Sequence, residues 1–201
     1  MKVTTPYPGP ASQAHSAFWA LSIMFLSVFA ASMLGIWSRP TGFIASVWPA
    51  NAVMLGLLVR LPAARRLLGW LAGFAGFMAA DLITGSPLLK ASLLNGTNII
   101  GIYAGFAVLA RLPKELIRLR QPLSMQYVVG ASLTAGIAAA VPGALINLIL
   151  FDSNLLSGFM YWSIGETVNY ITVLPIFLSA PSLRTLYRLG QRNNWRVRRH
   201  D

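Results

Sequence analysis

The chain reads as an all-α, polytopic membrane protein, a six-transmembrane-helix bundle with N and C termini cytoplasmic. Three observations predict this. Of its 201 residues, 56% are hydrophobic and only 10% charged, whereas a soluble domain carries about 25% charged residues. Six apolar runs fill nearly the whole length, and one span needs roughly 20 mostly apolar residues. The basic residues collect in alternate gaps between those runs, as cytoplasmic loops do under the positive-inside rule.

Residues 1–16 hold Pro6, Pro8 and Pro10 and no apolar period, so a disordered N-terminal tail is expected there. The first run, Ala17 to Trp37, is longer than the roughly 7–15-residue apolar core of a secretory signal and is read as an uncleaved span. The second run is Phe43 to Leu61, the third Leu67 to Gly85 and the fourth Leu89 to Ala110. The fifth, Leu123 to Phe151, is long enough to tilt or to bend at Pro142. The sixth is Phe159 to Ala180. Residues 17–180 form one membrane domain on this reading. Residues 181–201 are a basic cytoplasmic tail, in which Leu183, Leu186 and Leu189 predict a connector helix with one apolar face.

The charges fix the orientation. Lys2, Arg60, Arg65, Arg66, Arg111, Lys114, Arg118, Arg120, Arg184, Arg188, Arg192, Arg196, Arg198 and Arg199 all fall on one side. Only Arg39 and Lys90 fall on the other. Flipping the chain or miscounting one span destroys that segregation. The net charge of +11 therefore reflects orientation and contact with anionic lipid, and no nucleic-acid partner is expected. There is no cysteine, which excludes disulfides and thiolate sites.

Small residues recur at helix-packing spacing: Gly69 with Gly73, Gly101 with Gly105, and Ala131, Ala135, Gly136, Ala139, Ala140 and Gly143 in the fifth run. Such faces let helix backbones approach closely in lipid. Packing within one bundle is the first reading, and a homodimer is a further assembly these faces admit.

Ionisable and amide side chains inside spans are the candidate site. Asp81 and Glu166 are the two intramembrane carboxylates, and Asn51, Asn95, Asn98, Asn147 and Asn169 join them. With a rise of about 1.5 Å per residue, all seven fall within roughly 15 Å of the outer ends of their runs. Five of the six helices contribute, and Trp48 and Trp162 lie at the same level. A shared level points to a polar pocket open to the outer face. Structural amides that bond helix to helix are the competing explanation for the asparagines. Glue does not require a charge, so the carboxylates favour function. Tyr161 is expected in an interfacial aromatic belt. The proline residues Pro49, Pro142 and Pro175 are expected to kink their spans.

Much chemistry is excluded. The histidines, His15 and His200, lie in the tails, so no span supplies an imidazole to haem, metal or a nucleophilic pair. No catalytic residue, cofactor or metal is expected, and the chain is not read as an enzyme.

Four strings carry a family resemblance. "VWPANAVMLGLLVRLPAARRLLGWLAGFAGFMAADLI" resembles the start of a MASE1 domain, with its Trp-Pro opening, basic turn and small-residue helix ending in a polar side chain. "LLNGTNIIGIYAGFAVLAR", "AAAVPGALINLIL" and "FMYWSIGETVNYITVLPIFLSAP" are similar to later helices of that family. The resemblance covers roughly residues 40–180. It implies a membrane-embedded sensory input domain of bacterial signal transduction in the inner (cell) membrane. It also implies an output domain or partner, a kinase or a cyclic-di-GMP enzyme. The family's polar positions map onto Trp48, Asn51, Asp81, Asn98, Glu166 and Asn169. Typical members have about eight spans and a following output domain, and here the last pair of spans and that domain are not seen. A shortened or naturally short member is expected.

The expected function is therefore ligand sensing. An unknown small molecule would bind Trp48, Asn51, Asp81, Asn95, Asn98, Asn147, Trp162, Glu166 and Asn169, and the sixth helix would pass the change to the cytoplasm. The alternative is a six-helix substrate-binding subunit of a vitamin-type transporter, which shares this size and charge pattern.

Overall fold

A computed structural model describes residues 10–38 and 47–181. Among them the secondary structure is entirely helical. The helices are α1 (Pro10–Trp37), α2 (Ala50–Arg60), α3 (Leu67–Ile83), α4 (Leu88–Leu109), α5 (Lys114–Ile117), α6 (Ser124–Phe151) and α7 (Leu155–Ser179), with a short 3-10 turn over Pro62–Arg65 between α2 and α3. Three of them, α4, α6 and the part of α1 from Ala14 to Trp37, are long and apolar enough to cross a membrane by length and composition. The helices α2 and α3 are shorter apolar helices.

Helix α2 is the axis of the molecule. Every residue from Ala50 to Val59 is buried, as expected of a helix that is apolar all round. Around it, α1, α3, α4, α6 and α7 are packed in that order as an arc, and α2 itself touches α1, α3, α4 and α7. The core is built on Met54, Leu55 and Leu58 of α2, with Met24 and Val28 of α1, Phe77 of α3, Ile102 of α4, and Tyr170, Leu174 and Leu178 of α7. The outward faces are apolar as well: Leu26, Ile83, Ile149, Ile164 and Ile176 are all exposed.

Several boundaries differ from the apolar runs. Helix α1 starts at Pro10, so the tail expected over 1–16 is helical from that residue. His15, expected in the tail, lies in α1 within the apolar stretch Ala14–Trp37. Residues 1–9 lie outside the described residues. The second run was expected from Phe43, but α2 starts only at Ala50 and is 11 residues long. Residues 43–46 lie outside the described set. The cause of the late start is the Trp48–Pro49 pair. A residue before proline is pushed out of the helical region, and Pro49 takes the N-cap position, so it starts a helix where a kink was expected. An 11-residue helix is about 16 Å long, roughly half the thickness of a bilayer core. Helix α7 starts four residues earlier than its apolar run, because the Asn154 side chain accepts the backbone N–H of Ser157 at 2.7 Å and caps the first turn. Helix α6 runs unbroken past Pro142, and α7 past Pro175. The connector helix expected in 181–201 falls almost wholly outside the described residues.

Close helix contacts rest on glycine. A Cβ at Gly101 would stand 2.9 Å from the Ala135 carbonyl oxygen and 2.9 Å from the Ala139 Cβ. Neither backbone nor Cβ can turn aside, so α4 and α6 would have to separate. At Gly130, on the same helix as Ala135, a Cβ would meet nothing within 4 Å. Gly101→Ala is expected to cost about 1–3 kcal/mol, whereas Gly130→Ala is expected to be neutral or stabilising by up to about 1 kcal/mol. Thermal midpoints of the two variants in one detergent check this pair.

Candidate functional site

All nine side chains singled out from the sequence are buried: Trp48, Asn51, Asp81, Asn95, Asn98, Asn147, Trp162, Glu166 and Asn169. They do not form one cluster, however. The structure sorts them into a chain of five, a brace of two and a separate pair.

The chain links four helices. Asn51, in the first turn of α2, donates from Nδ2 both to Glu166 Oε2 on α7 at 2.8 Å and to Asn98 Oδ1 on α4 at 3.0 Å. Asn98 Nδ2 donates to Asn95 Oδ1 at 3.2 Å, one turn earlier on α4. Asn95 Nδ2 donates to Asp81 Oδ2 on α3 at 2.8 Å and lies 3.7 Å from Met78 Sδ. Donation runs outward from Asn51 in both directions and ends on a carboxylate each time. The local sequence explains the placing. Asn95 and Asn98 are three residues apart and share one face of α4. Asn51 reaches both sides because α2 begins at Ala50, and its end lies between α4 and α7.

The chain also runs inward. Asp81 lies two residues before the end of α3, about 3 Å along the axis, and Asn95 lies about 10 Å past the start of α4. Glu166 lies 11 residues into α7, about 16 Å from its start. That is deeper than the apolar run gave, because the asparagine cap extends the helix.

The brace is Trp48 and Asn169. The Trp48 backbone N–H donates to Asn169 Oδ1 at 3.1 Å, and Asn169 Nδ2 donates to the Gly165 carbonyl at 2.8 Å. Asn169 therefore anchors the segment that enters α2 rather than lining the carboxylate chain. The separate pair is Asn147 and Trp162: Trp162 Nε1 donates to Asn147 Oδ1 at 3.1 Å. Trp162 packs with Ala139 and Ala140 of α6 in a second, smaller apolar cluster, its ring filling the space beside Gly143. Neither member has a hydrogen bond to the five-residue chain.

Three polar atoms around the chain are buried without a hydrogen-bond partner: Asn51 Oδ1, Asp81 Oδ1 and the Tyr170 hydroxyl. Tyr170 is fully buried, four residues after Glu166 on the same face of α7, and within electrostatic reach of its carboxylate. Tyr170 was not among the residues singled out from the sequence; its i, i+4 spacing from a buried acid is the signal that could have found it.

The cations lie elsewhere. Arg65, in the turn after α2, donates to the Leu58 carbonyl at 3.0 Å and the Val59 carbonyl at 2.6 Å, closing the C-terminal end of α2 where the helix dipole favours a cation. Arg60 Nη1 donates to the Leu178 carbonyl at 3.0 Å, joining the last turn of α2 to the last turns of α7. Lys90 Nζ stands 4.9 Å over the Phe151 ring. Arg111 returns to the Ala107 carbonyl on its own helix. Sequence reading used these arginines only to orient the chain and missed that two of them hold α2. Among the described residues, no group of three or more His, Cys, Asp or Glu side chains is placed to hold a metal ion.

No family model, curated protein or solved structure matches this chain.

Proposed function

We propose that the chain is a membrane-embedded sensory input domain of the MASE1 type, with six spans and cytoplasmic termini in a bacterial inner membrane. A small ligand enters the outer half of the bundle and changes how α2 and α7 pack. A cytoplasmic output, in the same parent chain or a partner, reads the change. The segregated basic residues and the apolar outer faces support the membrane placement and contact with anionic lipid. No catalytic step is assigned to it.

One observation carries the reading: two buried carboxylates on different helices joined by three asparagines through α2. Both ends of α2 are bonded to α7, through Asn51–Glu166 and Trp48–Asn169 near the middle of α7 and through Arg60–Leu178 at its last turn. A shift at the carboxylate end therefore moves both helices together, down to the residues that lead into the basic tail. A ligand drives such a shift only by binding the two packings unequally.

A ligand screen by thermal shift, run on the wild type and on Glu166→Gln, tests this. A ligand at about a hundredfold above its Kd is expected to raise the wild-type midpoint by roughly 5–10 °C, with the response reduced or lost in the variant. Identical responses to every hit would remove Glu166 from the site. Copurification of a vitamin and an ATPase partner would favour the transporter subunit instead.

A further inference from the structure

We propose that the chain from Asp81 to Glu166 takes up one positive charge, carried by a monovalent cation or a proton, between its two carboxylates. This rests on the sensory reading and names the chemical class of what is sensed.

The direction of the hydrogen bonds is the first reason. An asparagine amide nitrogen has two hydrogens. Those of Asn51 go to Asn98 and Glu166, and Asn95 faces Asp81 and the Met78 sulfur. Asn98 donates to Asn95, so each amide nitrogen is engaged within the chain. What remains free and buried are two acceptor oxygens, Asn51 Oδ1 and Asp81 Oδ1, and the Tyr170 hydroxyl. The hydroxyl can accept or donate, but the two free oxygens of Asn51 and Asp81, set beside two acids, suit a cation and repel an anion. An unpartnered buried acceptor is costly, and a donor or cation beside it removes that cost.

The second reason is charge balance. A buried carboxylate needs a counter-charge or a proton. The hydrogen-bond partners of both acids are asparagine amides. Helices α2 and α6 pack against α7, and their ionisable side chains are Arg60 at the far end of α2 and Tyr127 at the far end of α6. Around Asp81, α1 offers His15, which accepts from Trp19, and α4 offers Lys90, which lies over Phe151, and the exposed Tyr103. Arg65, in the turn beside α3, is held on the end carbonyls of α2. Arg39 lies outside the described residues and is tested directly.

The experiment uses the full chain in detergent at fixed ionic strength. Thermal midpoints are read from tryptophan fluorescence in sodium, potassium or N-methylglucamine chloride, at several pH values between about 5 and 8. Infrared spectra report whether the acids are neutral or ionised. If a metal cation is the occupant, sodium or potassium at a hundredfold over Kd raises the midpoint by roughly 5–10 °C over N-methylglucamine, and the acids stay ionised. If a proton is the occupant, acidification raises the midpoint, and a neutral-acid carbonyl band appears. In either case Asp81→Asn with Glu166→Gln abolishes the dependence and the band. Should that double variant fail to fold, radioactive sodium binding and the infrared band of the wild type decide alone.

A midpoint indifferent to every ion and to pH, with both acids ionised, overturns the proposal and leaves buried water on the free oxygens. Ion dependence that appears only in Arg39→Gln also overturns it, by making Arg39 the counter-charge. A neutral solute that stabilises the wild type but not Glu166→Gln ends the cation class while leaving the sensory reading intact.

Discussion

Asn51→Leu is expected to destabilise the protein by about 2–4 kcal/mol, the largest effect of any single polar substitution. Asn51 is the one side chain that touches both halves of the chain, through Glu166 and Asn98. Leucine strands two acceptors, one of them a carboxylate oxygen, at about 1–3 kcal/mol each. Interhelical hydrogen bonds in lipid are themselves worth only about 0.6 kcal/mol on average, so the loss comes mainly from acceptors left unmet. The added apolar contact offsets part of this, since Asn51 is buried in the N-terminal turn of an otherwise apolar helix. The sign is therefore set by the acceptors. Asn147→Leu removes the partner of Trp162 and strands one neutral donor, so its expected cost is smaller, about 1–2 kcal/mol. Reversible unfolding in mixed micelles measures both.

Replacing Arg111, Lys114, Arg118 and Arg120 together with glutamine is expected to disturb the orientation of the chain. These four carry the basic bias of the segment between α4 and α6, and short loops with that bias stay cytoplasmic. Lys90→Glu is expected to leave orientation intact, because acidic residues contribute little to the rule. The chain has no cysteine, so a single cysteine placed at Leu112 reports the side by labelling with an impermeant maleimide in intact cells. The quadruple variant should be labelled well above the parent, and Lys90→Glu should match the parent. Equal labelling of all three would mean that the loop's position is set by something other than its charge.

Helix existence was largely legible in the sequence. The ends of α4 and α6 fall within a residue of their apolar runs, because length at about 1.5 Å per residue is a strong constraint. Starts set by one side chain were not legible from apolarity. Pro49 cuts the second run to 11 residues, and Asn154 extends the last helix backward. Both are capping effects that an average over a run cannot see.

The site was legible as a set and not as a wiring diagram. Depth along each run selected nine residues for one pocket, and all nine are buried, although they fall into three separate groups. Depth says nothing of rotation about the helix axis, which decides that Asn147 meets Trp162 while Asn95 meets Asp81. It also hid Tyr170, whose ring sits in the core and whose buried hydroxyl has no hydrogen-bond partner. Tyr103 lies in the same apolar runs and points outward at 64% exposure.

The joined carboxylate chain is tested most directly by a double-mutant cycle on Asn51 and Glu166, each changed to leucine singly and together. Removing both partners of a buried polar contact can be nearly neutral where removing one is not. The double variant should therefore be more stable than the sum of the two losses predicts, by at least about 1 kcal/mol. Strictly additive losses would mean that the two side chains do not meet, and the linkage of α2 to α7 through the buried acids would fall with them.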